Sequence, residues 1–204
     1  MNEEVKTETS KDTLKPYMLW LMLFTFVAPI GAAFWLYSIG GTENTVNKGE
    51  FVKPGVQILE MGLKDLNGDA AKEEQLYGRW HMMYFMESDC KGLCEETIYS
   101  MRQIKTAMHK ESDRITNLLI HFDENISDSF QARIKTHYAN FDRYFADRGV
   151  FNQQLGFTGD ELMRKRMVFI IDPIGNVILQ YNKDKSAKDI ISDFKRLLKA
   201  SQIG

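Results

Sequence analysis

Residues 17–39 (YMLWLMLFTFVAPIGAAFWLYSI) run without a charged residue. A bilayer crossing takes about 20 apolar residues, so the pattern predicts a transmembrane helix over 17–39. Aromatic residues stand towards both ends, Tyr17 and Trp20 at one and Trp35 and Tyr37 at the other, as an interfacial belt would place them. Pro29 is expected to kink the helix, which a membrane segment tolerates. A cleaved secretory signal would have an apolar core of only about 7–15 residues and small residues at its end. Here bulky Phe34, Trp35, Leu36 and Tyr37 follow, so an uncleaved anchor is expected.

The next strong signal is residues 80–108. An apolar run, 80–86, has the length of a buried strand, and a polar Glu87-Ser88-Asp89 turn follows it. From Cys94 onward the apolar positions Cys94, Ile98, Met101, Ile104 and Met108 recur at three- and four-residue steps, which predicts a helix. Further buried strands are expected at 115–122, 167–171 and 177–181, with a helix over 128–139 and a short strand followed by a helical turn within 141–157. Asp172-Pro173-Ile174-Gly175 predicts a tight turn, because proline presets φ at its second position and glycine suits its end. Ser186 and Asp189 form a capping box ahead of a helix with the apolar stripe Ile190, Ile191, Phe194, Leu197 and Leu198. Towards the start of this region, 56–66 alternates loosely into Asn67-Gly68, a hairpin signal, and 70–77 predicts a helical turn. The order is strand, helix, strand, helix, hairpin, helix. Parallel strands joined by helices imply right-handed crossovers. The expected fold is therefore α/β, a thioredoxin-like fold with a central sheet flanked by helices, carrying one N-terminal transmembrane helix.

The domain boundaries follow: 1–16 a disordered cytoplasmic tail, 17–39 the membrane helix, 40–55 a polar linker, and 56–204 the thioredoxin-like extracytoplasmic domain. Lys6, Lys11 and Lys15 precede the span, against Lys48 and Lys53 farther beyond it, which favours a cytoplasmic N-terminus. The composition, 44% hydrophobic and 26% charged with a net charge of -2, fits a globular domain and offers no basic patch for nucleic acid.

Two cysteines are too few for a disulfide scaffold. Cys90 and Cys94, with three residues between them, fall where a strand runs into a helix N-terminus. There the helix dipole favours a thiolate, with Cys90 in the favoured place. Glu87, Asp89, Glu95 and Glu96 oppose that, with Lys91 the nearby cation in sequence. A negative rim suits a cation, and two thiolates are soft ligands of the type that selects Cu(I). Four-residue spacing puts both sulfurs on one face if both residues are helical. Two buried filler cysteines remain the plain alternative.

A membrane anchor, DCKGLC at 89–94 and MVFIIDPIGNVI at 167–178 together resemble the Sco/SenC family. The resemblance covers roughly 56–204. NKGEF at 47–51 and the terminal ASQIG look closer still to a small bacterial Sco-like group associated with oxidase assembly. It implies a thioredoxin fold and assembly of the copper site of cytochrome c oxidase, by Cu(I) handling or thiol-disulfide exchange at Cys90 and Cys94. It implies an oxidase subunit or another copper or thiol assembly factor as partner, and a single-pass protein of the bacterial inner membrane with its soluble domain in the periplasm. The family's third copper ligand, a histidine about eight residues before the Asp-Pro turn, is replaced by Arg164. The prolines after its two cysteines are replaced by Lys91 and Glu95, and the thioredoxin cis-proline is absent. Met163 and Met167 flank the empty ligand position, and Met163 is a candidate thioether donor for Cu(I). Arg164 or Lys165 near the sulfurs would instead favour thiolate and thiol exchange. His81, His109, His121 and His137 are scattered and read as structural or surface residues. Two alternatives stand beside the assembly-factor reading: a general membrane-tethered thiol-disulfide oxidoreductase, and a non-catalytic oxidase-binding module with a structural disulfide.

Overall fold

The computed structural model describes residues 16–38, 46–86, 90–122, 126–201 and 203. The expected tail up to residue 15, the first part of the linker and the Glu87-Ser88-Asp89 turn lie outside them. The chain divides into two units, Met1–Val46 and Asn47–Gly204. The described part of the first is α1 (Pro16–Ser38), 23 residues with no acidic residue in its first turn, no basic residue in its last, and Pro29 inside. Among the described residues no helix is long and apolar enough to cross a membrane.

The second unit is built on a six-stranded sheet in the order β1-β6-β5-β2-β3-β4. Its strands are β1 (Glu50–Gln57), β2 (Trp80–Met86), β3 (Ile115–His121), β4 (Phe141–Phe145), β5 (Val168–Ile171) and β6 (Asn176–Tyr181). β2, β3 and β4 run parallel; β5, β6 and β1 are antiparallel to their neighbours. The central β2 is buried at every position. Its side chains alternate between faces, as a strand requires. Trp80, Met82, Tyr84 and Met86 enter one core and Met83 and Phe85 the other.

The first face is covered by α3 (Leu93–Ala107), α4 (Asp128–His137) and α7 (Ala187–Ala200), through Ile98, Met101, Phe130, Ile134, Phe194 and Leu198. The second is covered by α2 (Glu73–Leu76), α5 (Arg148–Leu155) and α6 (Gly159–Lys165), through Leu76, Phe151, Leu155 and Leu162. The expected sheet with helices on both faces is present. The Asp172–Gly175 turn forms as expected, with Gly175 at φ 89° and the Asp172 carboxylate accepting from the Ile174 and Asn176 amides at 3.1 and 2.8 Å. The Ser186–Asp189 capping box also forms.

Two boundaries differ from expectation. The folded unit begins at Asn47 rather than residue 56, because residues 50–55, expected as linker, join 56–57 in β1 against β6. Pro54 and Gly55 mask the strand pattern. They fit because β1 is an edge strand whose register shifts between Phe51 and Val56. Asn67-Gly68 does turn the chain, with Gly68 at φ 88°, but only one bridge, Lys64 to Ala70, flanks it instead of a hairpin.

Candidate functional site

The cysteine pair lies beyond the C-terminal end of β2. Cys90 and Cys94 are joined in a disulfide, their Cα atoms 5.3 Å apart, inside the usual range for a bridge. The helix does not begin at Cys90. Gly92, at φ 56°, is the residue before α3, and that left-handed backbone keeps Lys91 and Cys90 outside the helix. Cys94 is the second residue of α3, so the helix dipole acts on Cys94, not on Cys90 as the sequence suggested. The two sulfurs meet because the loop folds back onto the first turn, not because they share a helix face.

Burial separates their roles. Cys90 is 2% exposed and packs in the core with Met86, Phe130 and Ile134. Cys94 is half-buried at the edge of that core. Of the two, Cys94 is the residue nearer to solvent.

The acidic rim is countered from elsewhere in the chain. Arg133, on α4, donates from Nη2 to the Cys90 carbonyl at 3.0 Å and pairs through Nε with Glu95 at 3.5 Å, its guanidinium 5.4 Å from the Phe130 ring centroid. Arg166, just after α6 at φ 50°, pairs with Glu96 at 4.0 Å. Sequence reasoning missed both, since nothing local marks an arginine 43 residues after Cys90 as its neighbour. Of the two cations it named, Arg164 is exposed, and Lys165 pairs with Glu161 at 3.6 Å and lies 5.6 Å from the Phe157 ring centroid. Met163 is half-buried on α6, outside the apolar cluster that holds Cys90.

The histidines divide sharply. His81 is buried in β2, and its Nε2–H donates to the Leu76 carbonyl at 2.7 Å. Burial, opposed by that bond and aided by Arg79, lowers its pKa to about 4. His121, at the C-terminal end of β3, pairs in register with Met86 and so lies on the cysteine face of the sheet. It is 0% exposed, its ring centroid is 6.3 Å from that of Phe130, and neither ring nitrogen has a hydrogen-bond partner among the described residues. Burial, with Arg143 adding, lowers its pKa to about 4, so the imidazole is neutral. Among the described residues no group of three or more His, Cys, Asp and Glu side chains is gathered to hold a metal.

A parallel β-α-β unit with a cysteine pair at the exit of its central strand, completed by an antiparallel hairpin and a final helix, defines the thioredoxin-like class. The comparisons agree. The chain belongs to the family described as transmembrane-like, thioredoxin-like, C-terminal domain, whose model matches residues 80–201. No curated protein sequence matches the chain. Among solved structures it is similar to BsSco, a member of the Sco family of cytochrome c oxidase assembly proteins described with a disulfide switch. The TM-score is 0.56 at 16% identity, over 76% of this chain and 99% of that one. It is also similar to yeast Sco1 with copper bound, TM-score 0.54 at 12% identity, over 78% and 96%. A putative electron transfer protein from Aquifex aeolicus VF5 gives 0.52 at 12%, over 71% and 95%. At these identities the likeness establishes the fold.

Proposed function

We propose that this chain is a membrane-anchored, Sco-like assembly factor for cytochrome c oxidase that works through Cys90 and Cys94. The observation that carries the reading is the Cys90–Cys94 bridge at the end of the central strand, with Cys90 buried and Cys94 half-buried. In exchange, a partner's thiolate attacks Cys94 Sγ and the Cys90–Cys94 bond breaks. Cys90 leaves with the electron pair as a thiolate and is then protonated. A second partner thiol attacks the mixed disulfide and releases Cys94. The partner becomes a disulfide and this chain a dithiol, a two-electron transfer that runs in reverse when this chain is the reductant. Arg133 stabilises negative charge around Cys90, and the α3 dipole does so at Cys94.

As a Cu(I) carrier, the reduced chain would offer two soft thiolates. The position where the resemblance expects a histidine holds the exposed Arg164. The neutral His121, on the cysteine face and without a hydrogen-bond partner among the described residues, suits a third donor once the disulfide opens. Met163 is the other candidate. For the anchor, the uncharged apolar run 17–39 in the sequence has the about 20 residues that a crossing takes. With the lysine bias this supports a cytoplasmic N-terminus and a periplasmic domain at a bacterial inner membrane. The partner is an oxidase subunit or another copper or thiol assembly factor.

The test is oxidase assembly in cells carrying wild type, Cys90→Ser or Cys94→Ser in place of the chromosomal copy. Both variants should lose assembled oxidase, and Cys90→Ser, which keeps the less buried Cys94, should accumulate a mixed disulfide with its partner. Normal oxidase with both variants would refute the reading and leave the pair a structural bridge.

A further inference from the structure

A cleft of about 240 Å³ runs along α3 from its cysteine end, between that helix and the β6–α7 connection. Its floor is apolar, made by Met101, Ile104 and Val168 among others, and its rim is charged. Glu96 stands on one side, and Arg166, Lys183 and Lys185 supply three cations. Cys94, Thr97 and Met101 recur at three- and four-residue steps on α3, so they lie along one stripe of the helix. Thr97 lines the cleft, and the rise from Cys94 to Thr97 is about 4.5 Å. Cys94 thus shares a stripe of α3 with two residues of the cleft's lining, Thr97 and Met101.

Two observations distinguish this cleft from an ordinary solvated face. Arg166 holds a left-handed backbone at φ 50° that a residue with a Cβ adopts at a cost. That turn brings its guanidinium to Glu96 at 4.0 Å, the long limit of an ion pair. Lys183 and Lys185 form no ion pair among the described residues; Asp184, between them in the chain, is not part of the cleft lining, and Asp189, bound by Ser186 in the α7 cap, feels the Lys185 charge. Arg166 thus offsets Glu96, and Lys183 and Lys185 are the other charged residues of the lining. Ser100 and Asn182 add neutral polar groups to the lining.

We infer that this cleft is the recognition site for the partner polypeptide, and that it takes an acidic side chain close to the partner's reactive cysteine. The inference rests on the thiol-exchange reading and adds the chemistry of the partner. An aspartate or glutamate carboxylate enters the cleft, displaces Glu96 from Arg166 or pairs with Lys183 and Lys185, and holds the partner's sulfur at Cys94. The acidic residues next to the cysteines argue for the opposite preference, a cationic partner, so the sign of the preference is decisive.

The experiment uses the full chain in detergent with the cysteine pair reduced. Three synthetic peptides, each with one cysteine activated as its mixed disulfide with 2-nitro-5-thiobenzoate, differ only in the flanking pair, Asp-Asp, Asn-Asn or Lys-Lys. The Cys94 thiolate attacks the peptide sulfur, expels coloured nitrothiobenzoate and forms the Cys94–peptide disulfide, which Cys90 then resolves. Rates are normalised to those of each peptide with a small neutral thiol. The acidic peptide should react about tenfold faster than the neutral one at low ionic strength, and the gap should close in high salt. In Lys183→Gln/Lys185→Gln the acidic peptide should lose its advantage over the neutral one, and an advantage that persists would overturn the inference. Equal rates for all three, or a fastest Lys-Lys peptide, would overturn the inference and leave thiol exchange standing. Absence of reaction with every peptide would remove thiol exchange and this inference together.

Discussion

Asp193 is the residue whose removal best tests how the domain closes on its own N-terminal segment. It lies on α7, 0% exposed, and its Oδ2 accepts three hydrogen bonds: from the Lys48 amide at 2.7 Å, the Gly49 amide at 2.9 Å and the Tyr181 hydroxyl at 2.9 Å. Arg196 approaches Oδ1 at 3.7 Å. Burial first, and then the Asp193 charge, hold the Tyr181 phenol well above its usual range, so it stays a donor. Asp193→Ala leaves two backbone amides and a phenol without their acceptor. Bonds to a charged group contribute about 1.5–3 kcal/mol each, but bonds sharing one acceptor do not add. Breaking a buried charged network costs about 3–5 kcal/mol in total. For a chain of this size that lowers the melting temperature by about 6–20 °C. The assay is thermal and denaturant unfolding of the full chain in detergent, followed by near-ultraviolet circular dichroism. Tyr181→Phe should cost about 1.5 kcal/mol. The double variant should fall close to Asp193→Ala alone, because both remove the same bond. Loss of less than about 1 kcal/mol in Asp193→Ala would refute the claim that this carboxylate clasps residues 48–49.

Gly49→Ala tests the same clasp from the other side: its Cβ would lie 2.6 Å from Tyr181 Cζ, on a ring held by Asp193, and overpacking of about 1–3 kcal/mol should appear in the same unfolding assay. His81 makes stability depend on pH. Its pKa is about 4 in the fold against an ordinary 6.5, so the unfolded chain binds the extra proton in between. Its contribution is complete above pH 6.5 and is lost as pH falls towards 4, by at most about 3 kcal/mol. His81→Gln, which keeps a donor for Leu76 but does not titrate, should remove about half of the histidine slope between pH 7 and pH 4.5 in urea titrations, because His121 is lowered to about 4 as well. Reducing the Cys90–Cys94 bridge opens a loop of only a few residues, so the loop-entropy relation puts the destabilisation at about 2 kcal/mol, read by unfolding with and without a phosphine reductant.

The site was half legible in the sequence. The cysteine pair at the exit of an apolar strand could be read because the signal is local: a seven-residue run, a turn, and a helical period. Which cysteine the helix would include could not, because Gly92 fixes that through one backbone angle. His121 read as a scattered histidine, since only the pairing of Met86 with His121 puts it on the cysteine face. Arg166 was missed by two positions, because α6 ends in a left-handed turn that sends Arg164 to solvent and Arg166 to Glu96.

The sequence alone determined what short-range periodicity encodes. That covers the buried central strand, the helices α3 and α7, the Asp172–Gly175 turn, the Ser186 cap and the neighbouring sulfurs. Each depends on residues within a few positions of one another, where side-chain spacing and backbone preference act directly. The tertiary structure decided the rest: the strand order, the edge strand at 50–57, the arginines that offset the acidic rim, the cleft beside Cys94, and the clasp of Asp193 on Lys48 across 145 residues. These depend on which faces the sheet brings together. A sequence pattern records that a residue is to be buried or charged, but the partner it meets is set by how distant elements pack to cover one core.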